Sequence, residues 1–292
     1  GEHSASSLGL NLPRLRLALV AVVALATGAA VAHAGLVAFV GLVAPHLVRR
    51  AVVVRHGPLL ALSIYALVHE SVHNLIFRRP VANRWIGLVT SLPNVFPSAA
   101  TFRTFHLAHH AHLGEYRWDG DVPGRAERRL VGTAPGRKAI WLAGMWLVQI
   151  GRAIRITRIA IWDRWALLNI AVQASYLALI AELGGAKGLA YLFLSSIFSI
   201  GLHPLGARWI QEHFPLFAGQ HTTSYYGPAN RLAFNAGLHV EHHDLPYVAW
   251  HRLPELRRIA PEFYCELGSV RSWTGLLVRF LFDRSLTLSR RG

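Results

Sequence analysis

The sequence has little charge and almost no cysteine. Of its 292 residues, 15% are charged and 53% are apolar, whereas soluble domains carry about a quarter of charged residues. This composition argues against an ordinary water-soluble domain. The single cysteine, Cys265, excludes an intramolecular disulfide framework and any metal site built from cysteines. A metal would therefore be held by histidine and carboxylate, and the 17 histidines make that feasible.

Acidic residues and lysine are also scarce. Thirty Lys and Arg face 15 Asp and Glu, and 28 of the 30 basic residues are Arg, which suits phosphate and lipid headgroups. The arginines alternate with long apolar blocks and no nucleic-acid motif occurs, so we expect no nucleic-acid partner. Richness in Ala, Val, Gly and Arg is typical of a high-GC bacterial genome. It favours a bacterial inner membrane, with the endoplasmic reticulum as the alternative.

Long uncharged segments predict a multi-pass, all-α integral membrane protein. Residues 17–44 carry no charge and exceed the roughly 20 residues that a membrane-spanning helix needs. We predict about four spans, with residues 1–292 forming one domain whose histidine-rich cap faces the cytoplasm. The predicted spans lie within residues 17–44, 57–77, 165–183 and 188–207.

The distribution of basic residues sets the predicted topology. Lys187 is the one basic residue between Arg164 and Arg208, so the positive-inside rule predicts two spans joined by an outside turn at residues 182–188. Both flanking regions, and any chemistry they carry, then lie in the cytoplasm.

Residues 138–162 are apolar but carry Arg152, Arg155 and Arg158 at i, i+3 and i+6. A basic stripe on a helix rich in Trp and Ile predicts an interfacial helix that lies along the membrane. We expect these arginines to contact lipid phosphates or the headgroup of a lipid substrate.

Eight of the 17 histidines fall in three short clusters. On a helix, residues at i, i+3 and i+4 lie close together on one side, as chelation of a cation requires. Three such clusters on one side of a membrane predict a metal site. They are His69-Glu-Ser-Val-His73, His106-Leu-Ala-His109-His110 and His239-Val-Glu-His242-His243.

The number of histidines helps to predict which metal is bound. The first cluster matches H-E-x-x-H, in which two histidines bind zinc and the glutamate, here Glu70, acts as general base, so a membrane metalloprotease is one alternative. A zinc hydrolase needs three protein ligands, whereas eight imidazoles suit two iron ions with open positions for dioxygen. A metal transporter is a third alternative, although transporters bind their ions within the spans. Diiron oxygen chemistry is favoured.

The three clusters, in this order and with two predicted spans between the second and the third, resemble the histidine boxes of the integral-membrane fatty acid desaturase and hydroxylase superfamily. Further runs resemble its sphingolipid Δ4-desaturase (dihydroceramide desaturase) branch. These runs are Tyr225-Tyr-Gly-Pro228, Phe234-Asn-Ala-Gly-Leu-His239 continuing to Pro246, and Leu253-Pro254 continuing to Tyr264.

The resemblance implies a lipid desaturase with two iron ions and dioxygen as co-substrate. It would introduce a double bond into the sphingoid chain of a dihydroceramide-like lipid; an acyl-lipid desaturase and a lipid C-hydroxylase are the nearest alternatives. Electrons would come from a separate cytochrome b5-like protein or ferredoxin. The eight box histidines would be ligands, and the imidazoles would be oriented by Glu70, Asn74, Glu241 and Asp244.

Eight imidazoles leave two iron ions short of about one ligand. His213 follows the last predicted span, at the depth of the boxes, and Gln211-Glu-His213-Phe resembles the Glu-His-aromatic element of related membrane diiron hydroxylases. We therefore predict His213 as the ninth ligand. His221 is the next candidate, and His203 is expected to be a buried structural residue or to orient a ligand.

Overall fold

The computed structural model describes residues 57–290, and the side chains of residues 63–289. These residues fall within one compact unit, Arg55–Gly292. The predicted span within residues 17–44 lies outside the described part, and the single-domain extent of 1–292 stays a prediction.

The described residues are mostly helical, as predicted. Two short parallel strands pair Ser224 with Ser269 and Tyr225 with Val270. The strands are β1 (Ser224–Tyr225) and β2 (Ser269–Val270). The helices are α1 (Gly57–Val72), α2 (Pro80–Ser91), α3 (Ala99–Ala111), α4 (Arg125–Val131), α5 (Pro135–Ala143), α6 (Met145–Arg155), α7 (Arg164–Ile200), α8 (Ala207–His213), α9 (His239–Asp244), α10 (Leu253–Ile259) and α11 (Trp273–Phe282).

Helix α7 contains the predicted reversal of the chain. Asp163 caps its start by accepting hydrogen bonds from the amides of Trp165 and Ala166, as N-cap residues do. At Gly185 the backbone leaves the helix with φ 57° and ψ −159°, a conformation that glycine tolerates. Gly185 thus divides α7 into two arms. Gln173 of the first arm and Ser196 of the second donate to the neighbouring carbonyls of Leu92 and Pro93. The two arms therefore run side by side.

Four crossings are not established by the described residues. Among them, α7 is the helix long and apolar enough to cross a membrane by length and composition, and its first arm alone extends about 31 Å. The second arm ends at Ile200 rather than 207, because the chain turns at residues 201–206 before α8. Helix α1 ends at Val72 rather than 77, because Asn74 takes a left-handed conformation with φ 59°.

Residues 138–162 do not form the one continuous helix that was predicted, while the interfacial position of this segment stays a prediction. Gly144 separates α5 from α6, and the chain leaves α6 after Arg155, where Ile156 turns into the interior. The surface of this pair nevertheless remains apolar, because Ile140 and Ile154 are about three-quarters exposed, at 74% and 73%. Such exposed side chains suit contact with lipid.

Two apolar clusters hold the described helices together. One joins α1, α2 and α3 through Val68, Leu88 and Ala99. The larger one packs α5, α6, α8 and α11 together, with Met145, Ile210 and Phe280 fully buried. Helices α1, α3, α8 and α9 carry eight of the candidate ligand histidines, and His73 directly follows α1.

Candidate metal centre

Nine imidazoles converge in two adjoining groups. In the first, the ligand atoms of five rings all lie within 4.8 Å of one another. This is the five-imidazole group: His69, His73, His106, His110 and His242. It joins the ends of α1 and α3 to α9.

The second group forms a closed ring of neighbouring side chains. Successive ring centroids are 4.7, 4.8, 4.6 and 5.0 Å apart. This is the four-imidazole group: His109, His213, His239 and His243. The two groups touch where His110 stacks on His243 with centroids 4.3 Å apart.

Helix geometry explains how each short cluster serves both groups. Successive residues are about 100° apart around a helix, so the i+3 and i+4 side chains lie on opposite sides of residue i. On α3, His106 and His110 join the five-imidazole group and His109 joins the other. On α9 the assignment is reversed. His239 and His243 join the four-imidazole group, and His242 joins the five-imidazole group.

The nitrogen spacing fits metal coordination. Nε2 atoms approach to 3.0 Å between His73 and His106, 3.1 Å between His106 and His110, and 3.0 Å between His110 and His242. For metal–nitrogen bonds near 2.1 Å, adjacent ligands are about 3.0 Å apart at right angles and about 3.4 Å apart in a tetrahedron. The spacing is therefore compatible with ligands of one ion, and five imidazoles exceed the four ligands of a structural zinc site.

The rings are held in the form that binds metal. Burial lowers the pKa of His106, His239 and His242 well below its usual range, and neighbouring imidazoles lower it further. Burial and nearby histidines likewise lower the pKa of His110 to about 2. These imidazoles are neutral at physiological pH, so each offers a nitrogen lone pair.

Asp119 is a buried carboxylate that the sequence analysis missed. It is fully buried and accepts a hydrogen bond from His109 Nδ1 at 2.9 Å. Burial acts to raise its pKa, but this bond and the amides of Gly114 and Asp121 outweigh burial and lower it. The charged carboxylate fixes the proton of His109 on Nδ1 and leaves Nε2 to face the group. In the sequence, Asp119-Gly-Asp121 has the form of an ordinary turn.

Arg152 and Arg155 form hydrogen bonds within the protein. Arg152 is 3% exposed, pairs with Glu127 at 2.6 Å and donates to the Asp121 carbonyl. Arg155 donates to the carbonyls of Asp119 and Val122. Their side chains turn toward the loop behind His109, and contact with a lipid headgroup stays a prediction for both. Arg158 is exposed, and a lipid contact there stays a prediction.

The predicted orienting residues of the first box take two different places. Glu70 is buried, accepts from the Trp250 amide at 3.2 Å and lies 3.8 Å from His69 Nδ1. Asn74 is exposed and ends the segment after α1 with φ 59°. The structure thus brings Glu70 to an imidazole and leaves Asn74 at the surface.

The carboxylates of the third box point away from the imidazoles. Glu241 is fully buried and accepts from Ser224 Oγ at 2.5 Å and from the Tyr226 hydroxyl at 2.8 Å. It therefore ties α9 to β1. Asp244 hydrogen bonds Tyr264 instead. Neither carboxylate orients a ring as the sequence analysis predicted, because both lie on the other side of this short helix.

The three candidate histidines outside the boxes lie in three different environments. His213 is 8% exposed and lies in the four-imidazole group, with Nδ1 3.5 Å from Asp121. His221 is exposed on a loop. His203 is half-buried, and its Nδ1 accepts from the Leu205 amide in the turn after α7. The structure brings His213 beside the box imidazoles and leaves His203 in the turn after α7; the role of His213 as a ninth ligand stays a prediction.

Comparisons with known proteins agree with this arrangement. The family model for fatty acid desaturase matches residues 45–275. A sphingolipid delta(4)-desaturase/C4-monooxygenase from Bos taurus is 40% identical over 226 residues, covering 77% of this chain and 69% of the relative. A sphingolipid delta(4)-desaturase from Drosophila melanogaster is 40% identical over 234 residues, covering 78% and 71%. One from Schizosaccharomyces pombe is 36% identical over 238 residues, covering 77% and 65%.

The matched region contains all three boxes, His213 and the Asp119 loop. Both the histidine geometry and the extent of these similarities lead to the same assignment. The chain belongs to the fatty acid desaturase family and is an oxidoreductase.

Proposed function

We propose that this protein is an iron-dependent sphingolipid delta(4)-desaturase, which introduces a double bond into the sphingoid chain of a dihydroceramide-like lipid. The convergence of nine imidazoles in two adjoining groups carries the proposal. The names of the relatives from Drosophila melanogaster and Schizosaccharomyces pombe supply the substrate class.

The two groups would each hold one iron ion. Five imidazoles would bind the first, and His109, His213, His239 and His243 would bind the second. When bound, the iron pair would activate dioxygen, the co-substrate, and supply the oxidant that removes hydrogen from an unactivated methylene. Imidazole and carboxylate donors suit this class of metal.

Aromatic side chains pack against one side of the first group. Phe102 stacks on His106 with centroids 4.9 Å apart, and Tyr65 lies 5.0 Å from Phe102. These rings cover the α1–α3 side of the five-imidazole group. Apolar cover on this side suits a reactive oxidant because it limits side reactions with solvent, while His69, His73 and His110 stay partly exposed.

Two alternatives differ in their support. The H-E-x-x-H zinc protease gains none: His69 and His73 have three more imidazoles beside them, and Glu70 accepts a hydrogen bond from Trp250. Hydroxylation at C4 is the second candidate function, because the name of the Bos taurus relative includes that activity. An acyl-lipid desaturase remains the broader alternative within the family.

We propose a multi-pass membrane location, with both imidazole groups on the cytoplasmic side. The relatives reported above are eukaryotic. They give no support to a bacterial inner membrane and make the endoplasmic reticulum the better expectation. A net charge of +15 suits an acidic, separate electron donor such as a cytochrome b5-like protein or ferredoxin.

Lipid mass spectrometry of cells that express this chain and are fed dihydroceramide tests the function. A product lighter by two hydrogens means desaturation, and one heavier by an oxygen means hydroxylation. The inactive control is His106→Ala, and the matched surface control is His221→Ala. If the sphingoid bases are unchanged relative to the His106→Ala cells, the substrate assignment is wrong.

Metal analysis of the purified protein provides the second test. About two iron ions per chain support the proposal, as the nine imidazoles predict. One zinc ion per chain together with peptide hydrolysis would contradict it.

A further inference from the structure

The four-imidazole group is backed by a loop that helix α6 holds in place. This is the Asp119 loop, residues 119–122. Asp119 accepts from His109 Nδ1 at 2.9 Å, and Asp121 lies 3.4 Å from the same nitrogen and 3.5 Å from His213 Nδ1. Two ligands of one group therefore face carboxylates of a single loop.

Local hydrogen bonds aim the Asp119 carboxylate at His109. The Gly114 amide donates to Oδ2 at 2.7 Å, and the Asp121 amide donates to Oδ1 at 2.8 Å. Because Asp119 is fully buried, solvent cannot replace these partners, and the direction of the carboxylate depends on the position of the loop backbone.

That backbone is held by two arginines one turn apart on α6. Arg155 donates to the carbonyls of Val122 at 2.8 Å and Asp119 at 3.2 Å. Arg152 donates to the carbonyl of Asp121 at 3.0 Å. The planar guanidinium group suits this use because it presents several donors in a fixed geometry.

Arg152 is itself fixed by α4 and α5. Glu127 accepts from Arg152 Nη2 at 2.6 Å and from Nε at 3.2 Å. The same carboxylate accepts from Trp141 Nε1 at 2.8 Å and from the Gly124 amide at 3.1 Å. A continuous set of hydrogen bonds thus runs from α4 and α5 through α6 to His109.

We infer that Arg155, Arg152 and Asp119 are positioning residues that set the iron affinity of the four-imidazole group and leave the five-imidazole group unchanged. The inference rests on the proposed iron centre. Asp119 holds His109 with Nε2 toward the ion, and the arginines act through Asp119. The selectivity follows from the contacts, since the Asp119 loop reaches His109 and His213, which both belong to one group.

Titration of the purified full chain with ⁵⁷Fe(II), against a competing chelator and followed by Mössbauer spectroscopy, tests this. The variants are Asp119→Asn, which removes the charge at constant shape, and Arg155→Met, which removes the donors to the loop. Arg129→Met, at an exposed arginine on α4, is the matched control. His73→Ala assigns the signals, because it removes a ligand of the five-imidazole group.

We expect both variants to weaken one of the two iron sites by about 10- to 100-fold, as changes to outer hydrogen-bond partners do. The signal that changes should be the one retained in His73→Ala. Arg155→Lys, which restores one donor, should recover part of the affinity. Arg129→Met should bind both ions as the unaltered chain does.

Equal weakening of both sites, or no change at either, would overturn the inference. If Asp119→Asn does not fold, Arg155→Met and Arg155→Lys decide between these outcomes. Failure of the unaltered chain to bind two iron ions is a different result, because it overturns the proposed function itself.

Discussion

The two imidazole groups consist of the same kind of side chain but are held in place differently. The five-imidazole group lies on packed helices: Arg103 of α3 donates to the carbonyls of Ser71 and Val72 at the end of α1, and apolar contacts of Val68 and Leu88 join α1, α2 and α3. The four-imidazole group is surrounded by carboxylates and arginines. Apolar packing thus holds the imidazoles of one group in position, and charged hydrogen-bonding partners hold those of the other.

The largest effect should come from removing a ligand from either group. We expect His106→Ala and His239→Ala each to lower desaturation by more than about 100-fold, because outer partners alone account for 10- to 100-fold. Each variant should keep iron in the group that is untouched. Iron content and turnover measured on the same preparations check this, and loss of both ions from either variant would mean that the groups do not bind independently.

The next effect concerns the ion pair beside the four-imidazole group. Arg208 Nη1 lies 2.6 Å from both oxygens of the buried Glu212, and Glu212 is 3.9 Å from His239. Glu212→Gln leaves Arg208 without its counter-charge, which should lower the free energy of unfolding by about 3 kcal/mol.

Denaturant unfolding in detergent measures that loss. The double variant Arg208→Met/Glu212→Gln should be less destabilised than the sum of its single variants, because the pair is removed together. Additive losses would show that the two side chains do not stabilise each other.

A smaller effect is expected on the five-imidazole side. Asn83 is fully buried; its Oδ1 accepts from the amides of Ile76 and Phe77, and its Nδ2 donates to the carbonyls of Phe77 and Arg79. Asn83→Ala removes the partner of two amides and two carbonyls that are only partly buried, which should cost about 1 kcal/mol. Thermal unfolding measures this, and iron should then be lost first from the five-imidazole group. Selective loss from the other group would contradict the comparison.

The smallest effect is expected at His221, the other candidate for the ninth ligand. His221→Ala should change the free energy of unfolding by less than about 0.5 kcal/mol, as expected for an exposed residue, with iron content unchanged. His213→Ala should lose iron from the four-imidazole group. If His213→Ala keeps both ions and His221→Ala loses one, the assignment is wrong.

The parts that were predictable from sequence are those with local causes. Spacing along a helix was enough to find the eight box histidines, and the lone basic residue Lys187 marked the turn that the structure forms at Gly185. The position of His213 followed from its distance along the chain past the last predicted span. Each of these inferences needs only periodicity or charge placement.

The parts that were missed depend on long-range contacts. A stripe such as Arg152 and Arg155 has the same pattern whether it faces lipid or a loop more than thirty positions earlier in the chain. Asp119 gave no signal because its function depends on a hydrogen bond to His109, which a turn sequence does not reveal. The division of each cluster between two groups also required the relative placement of α3 and α9.

The pairing of β1 with β2 has a consequence for the order in which the site is completed during synthesis. Ser224 Oγ accepts from the Val240 amide and donates to Glu241, and the neighbouring Tyr226 amide donates to Val270. The third box is therefore translated well before the strand that supports its scaffold. A nascent chain that stops short of Val270 would display most of its histidines without the framework that orients α9, so metal acquisition is expected late, after the C-terminal segment has folded back.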